Sequence, residues 1–263
     1  MAGSQSTVEQ QRDRVERREE RRERIGWLRA MARDEGRRHR FLFAVGVAGL
    51  ALVAVMALLV LNSAVLPFEV YTTQTFQGID SLLLLRLMQA VSFPGFFPWN
   101  VTMIVLSCLA IARFLGWKDG FYLGAIAATQ GIINHLLRIT IGRPRPSPEL
   151  VEVYAEIGST SFPSGHVMSY VVFFGFLFFL VWTRFPPSPW RTLTLVVLAV
   201  LLLLGGPARI YLGAHWITDV AAGYIVGLVI LVLAIEVYLR YLAPRRTEEQ
   251  EGLIGERDEA LGK

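Results

Sequence analysis

Six stretches of this chain are apolar over nearly the length a helix needs to cross a bilayer, and this limits its possible folds more than any other feature. They run at about 41–61, 99–116, 121–137, 166–183, 192–207 and 217–239. A helix rises about 1.5 Å per residue, so roughly 20 apolar residues cover the ~30 Å hydrocarbon core. With 53% hydrophobic residues, the chain is too apolar for an ordinary soluble domain. The expectation is an all-α, multi-pass membrane protein with six transmembrane helices and a charged cytoplasmic N-terminal helix. Its parts are a charged cytoplasmic segment at 1–40, a membrane domain at 41–241 and a polar cytoplasmic tail at 242–263.

The first apolar run begins at Phe41, behind a long polar stretch, and exceeds the h-region of a signal peptide. It is expected to stay in the protein as a helix, with no cleavable signal. The single cysteine, Cys108, lies inside an apolar run, which rules out an intrachain disulfide and argues against thiolate metal chemistry. A net charge of +4 does not point to nucleic acid here, because the basic residues gather beside the spans. The arginines and glutamates of 1–40 alternate at helical spacing, as in a solvated helix laced with i,i+4 ion pairs. A sharper reading lays Arg37, Arg38 and Arg40 against anionic lipid headgroups. Between the first two runs, residues 63–97 hold an apolar face of Leu83, Leu87 and Val91 too short to span, which predicts an interfacial or partly buried helix.

Basic residues beside the spans set orientation. Both termini are expected in the cytoplasm, and the loops at 63–97, 138–165 and about 208–216 outside. Arg138, Arg143, Arg145 and Arg209 then break the charge rule, and basic residues on the outer side call for a chemical reason.

Three outer stretches supply it: RITIGRPRP at 138–146, PSGH at 163–166 and ARIYLGAHWITD at 208–219. Arginine forks suit phosphate oxygens, and a helix N-terminus offers free N–H groups. Pro163 suits the opening of a helix, Ser164 brings a hydroxyl and Gly165 allows close backbone approach. His215 and Asp219 are four apart and would share a helical face, the acid orienting the imidazole as a nucleophile. His166 would donate a proton to the leaving oxygen. The residues singled out as catalytic are His215, His166 and Asp219; those for phosphate are Arg138, Arg145, Ser164, Gly165 and Arg209. The blander readings go to His135 as a packing or interfacial residue, His39 as part of the basic tail and Arg143 as an arginine snorkelling to headgroups.

At these residues the chain resembles the type 2 phosphatidic acid phosphatase family, membrane lipid phosphatases related to vanadium haloperoxidases. The family pattern is a lysine, six residues, then Arg-Pro; Pro-Ser-Gly-His; and Ser-Arg, five residues, His, three residues, Asp. Here Arg138 stands in the lysine place before Arg145-Pro146, Pro163–His166 match the second part, and Ala208 takes the serine place before Arg209, His215 and Asp219. The resemblance implies attack by His215 to give a phosphohistidine, Asp219 orienting it, His166 as acid, a phosphate cradle, and no metal or other cofactor. Expected partners are a lipid phosphate or diphosphate (polyprenyl diphosphate, phosphatidylglycerophosphate or phosphatidic acid) and membrane lipids, with no nucleic acid. The other readings are a lipid phosphotransferase and a non-catalytic lipid-phosphate-binding protein. A transporter fits less well, because the ionisable residues gather at one surface rather than at mid-membrane.

Overall fold

The structure is a computed structural model, and it describes residues 35–154, 158 and 160–243. The expected ion-paired helix within 1–34 and the polar tail from 244 onward lie outside the described residues. The described residues are helical and contain no strand; an isolated bridge joins Pro144 to Thr160.

All six apolar runs are helices. These are α1 (Glu35–Asn62), α4 (Trp99–Phe114), α5 (Trp117–Ile141), α6 (Gly165–Arg184), α7 (Pro189–Tyr211) and α8 (Ile217–Leu242). Two shorter helices, α2 (Pro67–Gln77) and α3 (Leu82–Ser92), fill the connection at 63–97. Among the described residues α1, α6, α7 and α8 are long and apolar enough to cross a membrane. A fifth candidate is the bent pair Leu82–Gly95 and Trp99–Phe114, which meet at 61°. The 16 residues of α4 reach only about 24 Å alone, and α5 carries Asp119, Gln130 and Asn134 along its buried side. Phe41, Leu58, Leu193, Leu203 and Leu228 are each more than half exposed, an apolar surface that suits lipid as solvent.

The connection at 63–97 differs from its expected form. It holds two helices, and the buried face of α3 is Met88, Val91 and Ser92, while Leu83 is 81% exposed and Leu87 faces outward with it. Met88 and Val91 pack on Ala208, Tyr211 and Leu212 at the end of α7, which sets α3 against the site end of that helix. The main core forms around α6, where Tyr170, Phe173, Phe174 and Phe176 meet Leu123 and Ile126 of α5, Leu198 of α7 and Tyr238 of α8. A second cluster joins α1 to α8 through Val53, Val60, Ala222 and Val226.

Two irregularities aim the ends of these helices. Residues Tyr170–Phe174 make a π-type turn inside α6, a device that shifts side-chain register by one residue. In α7, Pro207 has no N–H to give the carbonyl of Leu203. The Tyr224 hydroxyl of α8 reaches that carbonyl at 3.3 Å and that of Leu202 at 2.9 Å, and accepts from Gly206 N–H at 3.0 Å. The helix therefore keeps its backbone partners through the proline and delivers Arg209 on its last turn. At the opposite end Tyr238 donates to Asp119 at 2.5 Å and Arg184 pairs with the same carboxylate at 3.4 Å, tying α5, α6 and α8 together.

Candidate active site

Four segments meet at the site end of the bundle: the end of α5 with the strand-like piece after it, the start of α6, the turn between α7 and α8, and the Phe93–Gly95 turn after α3. A cleft of about 540 Å³ opens there, lined by Arg138, Arg145, Gly165, His166 and His215 among the residues singled out in the sequence. Ser164, Arg209 and Asp219 are fully buried next to these.

His215 precedes α8 rather than riding on it. Trp216 is the N-cap, and Asp219 sits in the first turn, where its Oδ2 accepts the Trp216 N–H at 2.9 Å. The four-residue spacing of His215 and Asp219 is thus used at a helix start and not along a helix face, which corrects the expected geometry. His215 Nδ1 lies 3.6 Å from Asp219 Oδ2, beyond hydrogen-bond reach. The Ser161 hydroxyl sits between them, donating to Asp219 Oδ2 and lying 3.3 Å from His215 Nδ1.

The other ring nitrogen, Nε2, is 3.1 Å from Arg145 Nη1. A guanidinium only donates, so Nε2 is assigned the lone pair and Nδ1 the hydrogen, which Ser161 accepts. Burial pushes the His215 imidazole down to about 4. The Asp219 carboxylate opposes that shift, while the Arg145 and Arg209 cations add to it. At neutral pH the ring is therefore neutral, with its lone pair toward Arg145 and the cleft.

The arginines are held by fixed partners on one side and left free on the other. Arg145 Nη1 also donates to the Ala214 carbonyl at 2.6 Å, and Arg209 Nη1 to Ser92 Oγ at 2.5 Å. Arg138 spends Nε and Nη2 on Thr160 at 3.0 and 2.8 Å. Buried polar atoms without a partner remain: Arg145 Nε, Ser164 Oγ, His166 Nε2, and Nε and Nη2 of Arg209. Leaving such atoms unpaired is costly unless a ligand completes them, and an anion suits a set dominated by arginine donors.

Ser164 is the N-cap of α6 and Pro163 the residue before it, two positions ahead of the first helical residue, Gly165. The Ser164 N–H donates to the Asp219 carbonyl at 3.0 Å, which joins the starts of α6 and α8. A Cβ on Gly165 would stand 2.7 Å from Asn134 Oδ1, so glycine is needed for α6 to lie against α5. His166 is clasped by the turn after α3: its ring meets the edge of Phe96 at 4.9 Å, and a Cβ on Gly95 would fall 2.1 Å from its Cδ2.

Arg143 does not snorkel. It is 2% exposed and bridges Asp219 Oδ1 and Glu69 Oε2, each at 2.5 Å. The glycine and prolines around it turn the chain inward at the end of α5, where two buried carboxylates offset the cost of its charge. His135 is exposed on α5. Sequence reasoning missed Ser161, Glu69, Ser92 and Gly95. Ser161 stands two residues before Pro163-Ser164 and carried a weak signal; the other three lie in the connection read as interfacial. Among the described residues, no three His, Cys, Asp or Glu side chains come together as metal ligands would.

Known proteins share this fold. The PAP2 superfamily model matches residues 119–242. Phosphatidylglycerophosphatase B of Bacillus subtilis (strain 168) is 26% identical over 149 residues, covering 56% of this chain and 72% of the relative. The crystal structure of the first transmembrane PAP2 type phosphatidylglycerolphosphate phosphatase from Bacillus subtilis matches with a TM-score of 0.65 at 23% identity, over 76% of this chain and 98% of that one. That of Aquifex aeolicus LpxE matches with a TM-score of 0.51 at 17% identity, over 65% and 96%. At such identities the two structures show a common fold.

Proposed function

This chain belongs to the PAP2 superfamily, and from that premise we propose that it is an integral membrane lipid phosphatase. It hydrolyses a lipid phosphate or diphosphate monoester at the extracytoplasmic face through a phosphohistidine, and needs no metal. The observation that carries this reading is the set of unpartnered buried donors on Arg145, Ser164, His166 and Arg209 around a neutral His215 whose Nε2 points toward the cleft.

The steps follow from the residues. Phosphate oxygens take the free N–H groups of Arg145 and Arg209 and the Ser164 hydroxyl, and Arg145 Nη1 turns from His215 Nε2 to an oxygen. The Nε2 lone pair attacks phosphorus as the bond to the lipid oxygen breaks, and His166 gives that oxygen a proton. His215 then carries phosphate on Nε2, hydrogen on Nδ1 and a positive charge, which Ser161 and Asp219 stabilise. Water attacks phosphorus, His166 takes its proton, the P–N bond breaks and inorganic phosphate leaves.

Lateral access from lipid is supported by the lower cleft, where Val101, Ile104 and Val105 of α4 face Gly124, Ala127 and Ala128 of α5. In this reading the chain crosses six times, with α4 and α5 as the second and third crossings, and both tails lie in the cytoplasm. The arginines on the outer side then have a phosphate to bind. Of the substrates named above, phosphatidylglycerophosphate is favoured by the likeness to the phosphatidylglycerophosphatase B of Bacillus subtilis. The experiment is phosphate release in detergent, with EDTA, from phosphatidylglycerophosphate, phosphatidic acid and undecaprenyl diphosphate, ranked by kcat/KM. The His215→Ala variant is expected to be inactive on all three. Release unchanged in that variant would overturn the mechanism, and a requirement for a divalent ion would overturn metal independence.

A further inference from the structure

The buried ion network behind the nucleophile has more parts than the chemistry above uses. Glu69 is fully buried on α2, a helix that contributes nothing to the cleft. Its Oε1 accepts the Thr218 hydroxyl at 2.5 Å and the Thr218 N–H at 3.4 Å, and its Oε2 accepts the Leu66 N–H at 3.0 Å and Arg143 Nη2 at 2.5 Å. Arg143 in turn gives Nε to the Ala64 carbonyl at 2.9 Å and Nη1 to Thr218 Oγ1 at 2.7 Å and Asp219 Oδ1 at 2.5 Å. Both oxygens of Asp219 are thereby fixed: Oδ1 by Arg143, Oδ2 by Trp216 N–H and Ser161.

We propose that Glu69 is a positioning residue for the nucleophile: it balances the charge of Arg143 while Arg143 orients Asp219, so that Asp219 keeps its negative charge available to His215. The need for balance is electrostatic. The other charged and titratable groups around His215 and Asp219 are Arg138 on α5, Arg145 after it, His166 on α6 and Arg209 on α7. A fourth unopposed arginine beside Asp219 would draw on the same carboxylate that must stabilise positive charge on phosphorylated His215. Glu69 supplies the opposing charge from the far side of Arg143, where it competes for no phosphate oxygen. A buried ion pair of this kind is a poor source of stability but an effective way to hold one geometry.

This inference rests on His215 being the nucleophile, and the test separates the two. In Glu69→Gln the amide keeps the shape and its single oxygen can accept from Arg143 or from Thr218 but not from both, while the charge is gone. The variant is expected to lose kcat by about tenfold with KM within about twofold, since no phosphate-binding group is touched. The acid limb of kcat/KM should move down by about half a pH unit or more, because removing an anion disfavours protonated His215. In an Arg143→Met background Glu69 has no charge to balance, so adding Glu69→Gln should cost less than about twofold further. Should the glutamine variant fail to fold, Glu69→Asp keeps the charge at shorter reach; it is expected to lower kcat and leave the acid limb in place. Equal kcat losses in both backgrounds, an unmoved limb in Glu69→Gln, or a shifted limb in Glu69→Asp would overturn the proposal. His215→Ala, assayed alongside, distinguishes the failures: if it is inactive while Glu69→Gln is unaffected, only this inference falls, and if it is active the mechanism itself falls.

Discussion

His215 Nδ1 and Asp219 Oδ2 stand 3.6 Å apart, and the hydroxyl of Ser161 bonds to both across that gap. The acid therefore acts on the imidazole partly through a serine. Ser161→Ala removes the bridge and leaves Nδ1–H without an acceptor in a fully buried place. The variant is expected to lose kcat by about tenfold, the equivalent of roughly 1.4 kcal/mol, with KM little changed. Steady-state phosphate release checks this, and Ser161→Thr is expected to recover part of the loss by restoring the hydroxyl.

The low basicity of His215 gives a pH dependence with a definite sign. Burial, aided by Arg145 and Arg209, holds the imidazole near 4, so the nucleophilic neutral form is present above that pH and is lost as pH falls through it. The acid limb of kcat/KM that belongs to the enzyme is expected near pH 4. It should stand apart from the second ionisation of a phosphate monoester at about 6. A rate profile over pH 3.5–8, compared between substrates of different phosphate pKa, separates the two.

Arg209 owes its orientation to Ser92. With Nη1 held at 2.5 Å by that hydroxyl, Nε and Nη2 are left for the ligand. Ser92→Ala is expected to raise KM by roughly fivefold, about 1 kcal/mol for one hydrogen bond, with a smaller effect on kcat. Inhibition by inorganic phosphate should weaken by a similar factor. Ser92 comes from α3, so this measurement also tests whether the second helix of the connection at 63–97 belongs to the site.

Gly95 sets the place of His166. A methyl group there would lie 2.1 Å from the ring, which must move. Gly95→Ala is expected to cut kcat at least tenfold, because a displaced acid no longer reaches the leaving oxygen. Gly46 on α1 has nothing within 4 Å of an added Cβ, so Gly46→Ala should leave turnover unchanged. A retained rate in Gly95→Ala would mean that His166 moves freely without loss.

These predictions fall mostly on residues that the linear sequence did not single out. Helices were legible because apolar runs about 20 residues long leave the backbone little other choice in lipid. The grouping of Arg138, Arg145, His166 and His215 in one cleft was legible because their three stretches follow a recognisable spacing. The six-residue lag between Arg209 and His215 spans a turn whose shape no periodicity encodes, and the meeting of Nδ1 with Ser161 depends on it. Glu69 was illegible for a different reason. A lone acid in an amphipathic connection looks solvated until Arg143, more than seventy residues later, is found buried against it. The face of α3 was misread because Leu83 and Leu87 follow an apolar stripe that a soluble helix would bury, whereas in lipid the same leucines are content outside.

The central claim is covalent: phosphorus passes through Nε2 of His215. Rapid quenching of the enzyme with a 32P-labelled lipid phosphate, followed by peptide mapping under alkaline conditions, tests it most directly. The account expects an acid-labile, alkali-stable label on the peptide containing His215, formed faster than turnover and absent from His215→Ala. A label on any other residue, or hydrolysis by His215→Ala at the wild-type rate, would contradict it.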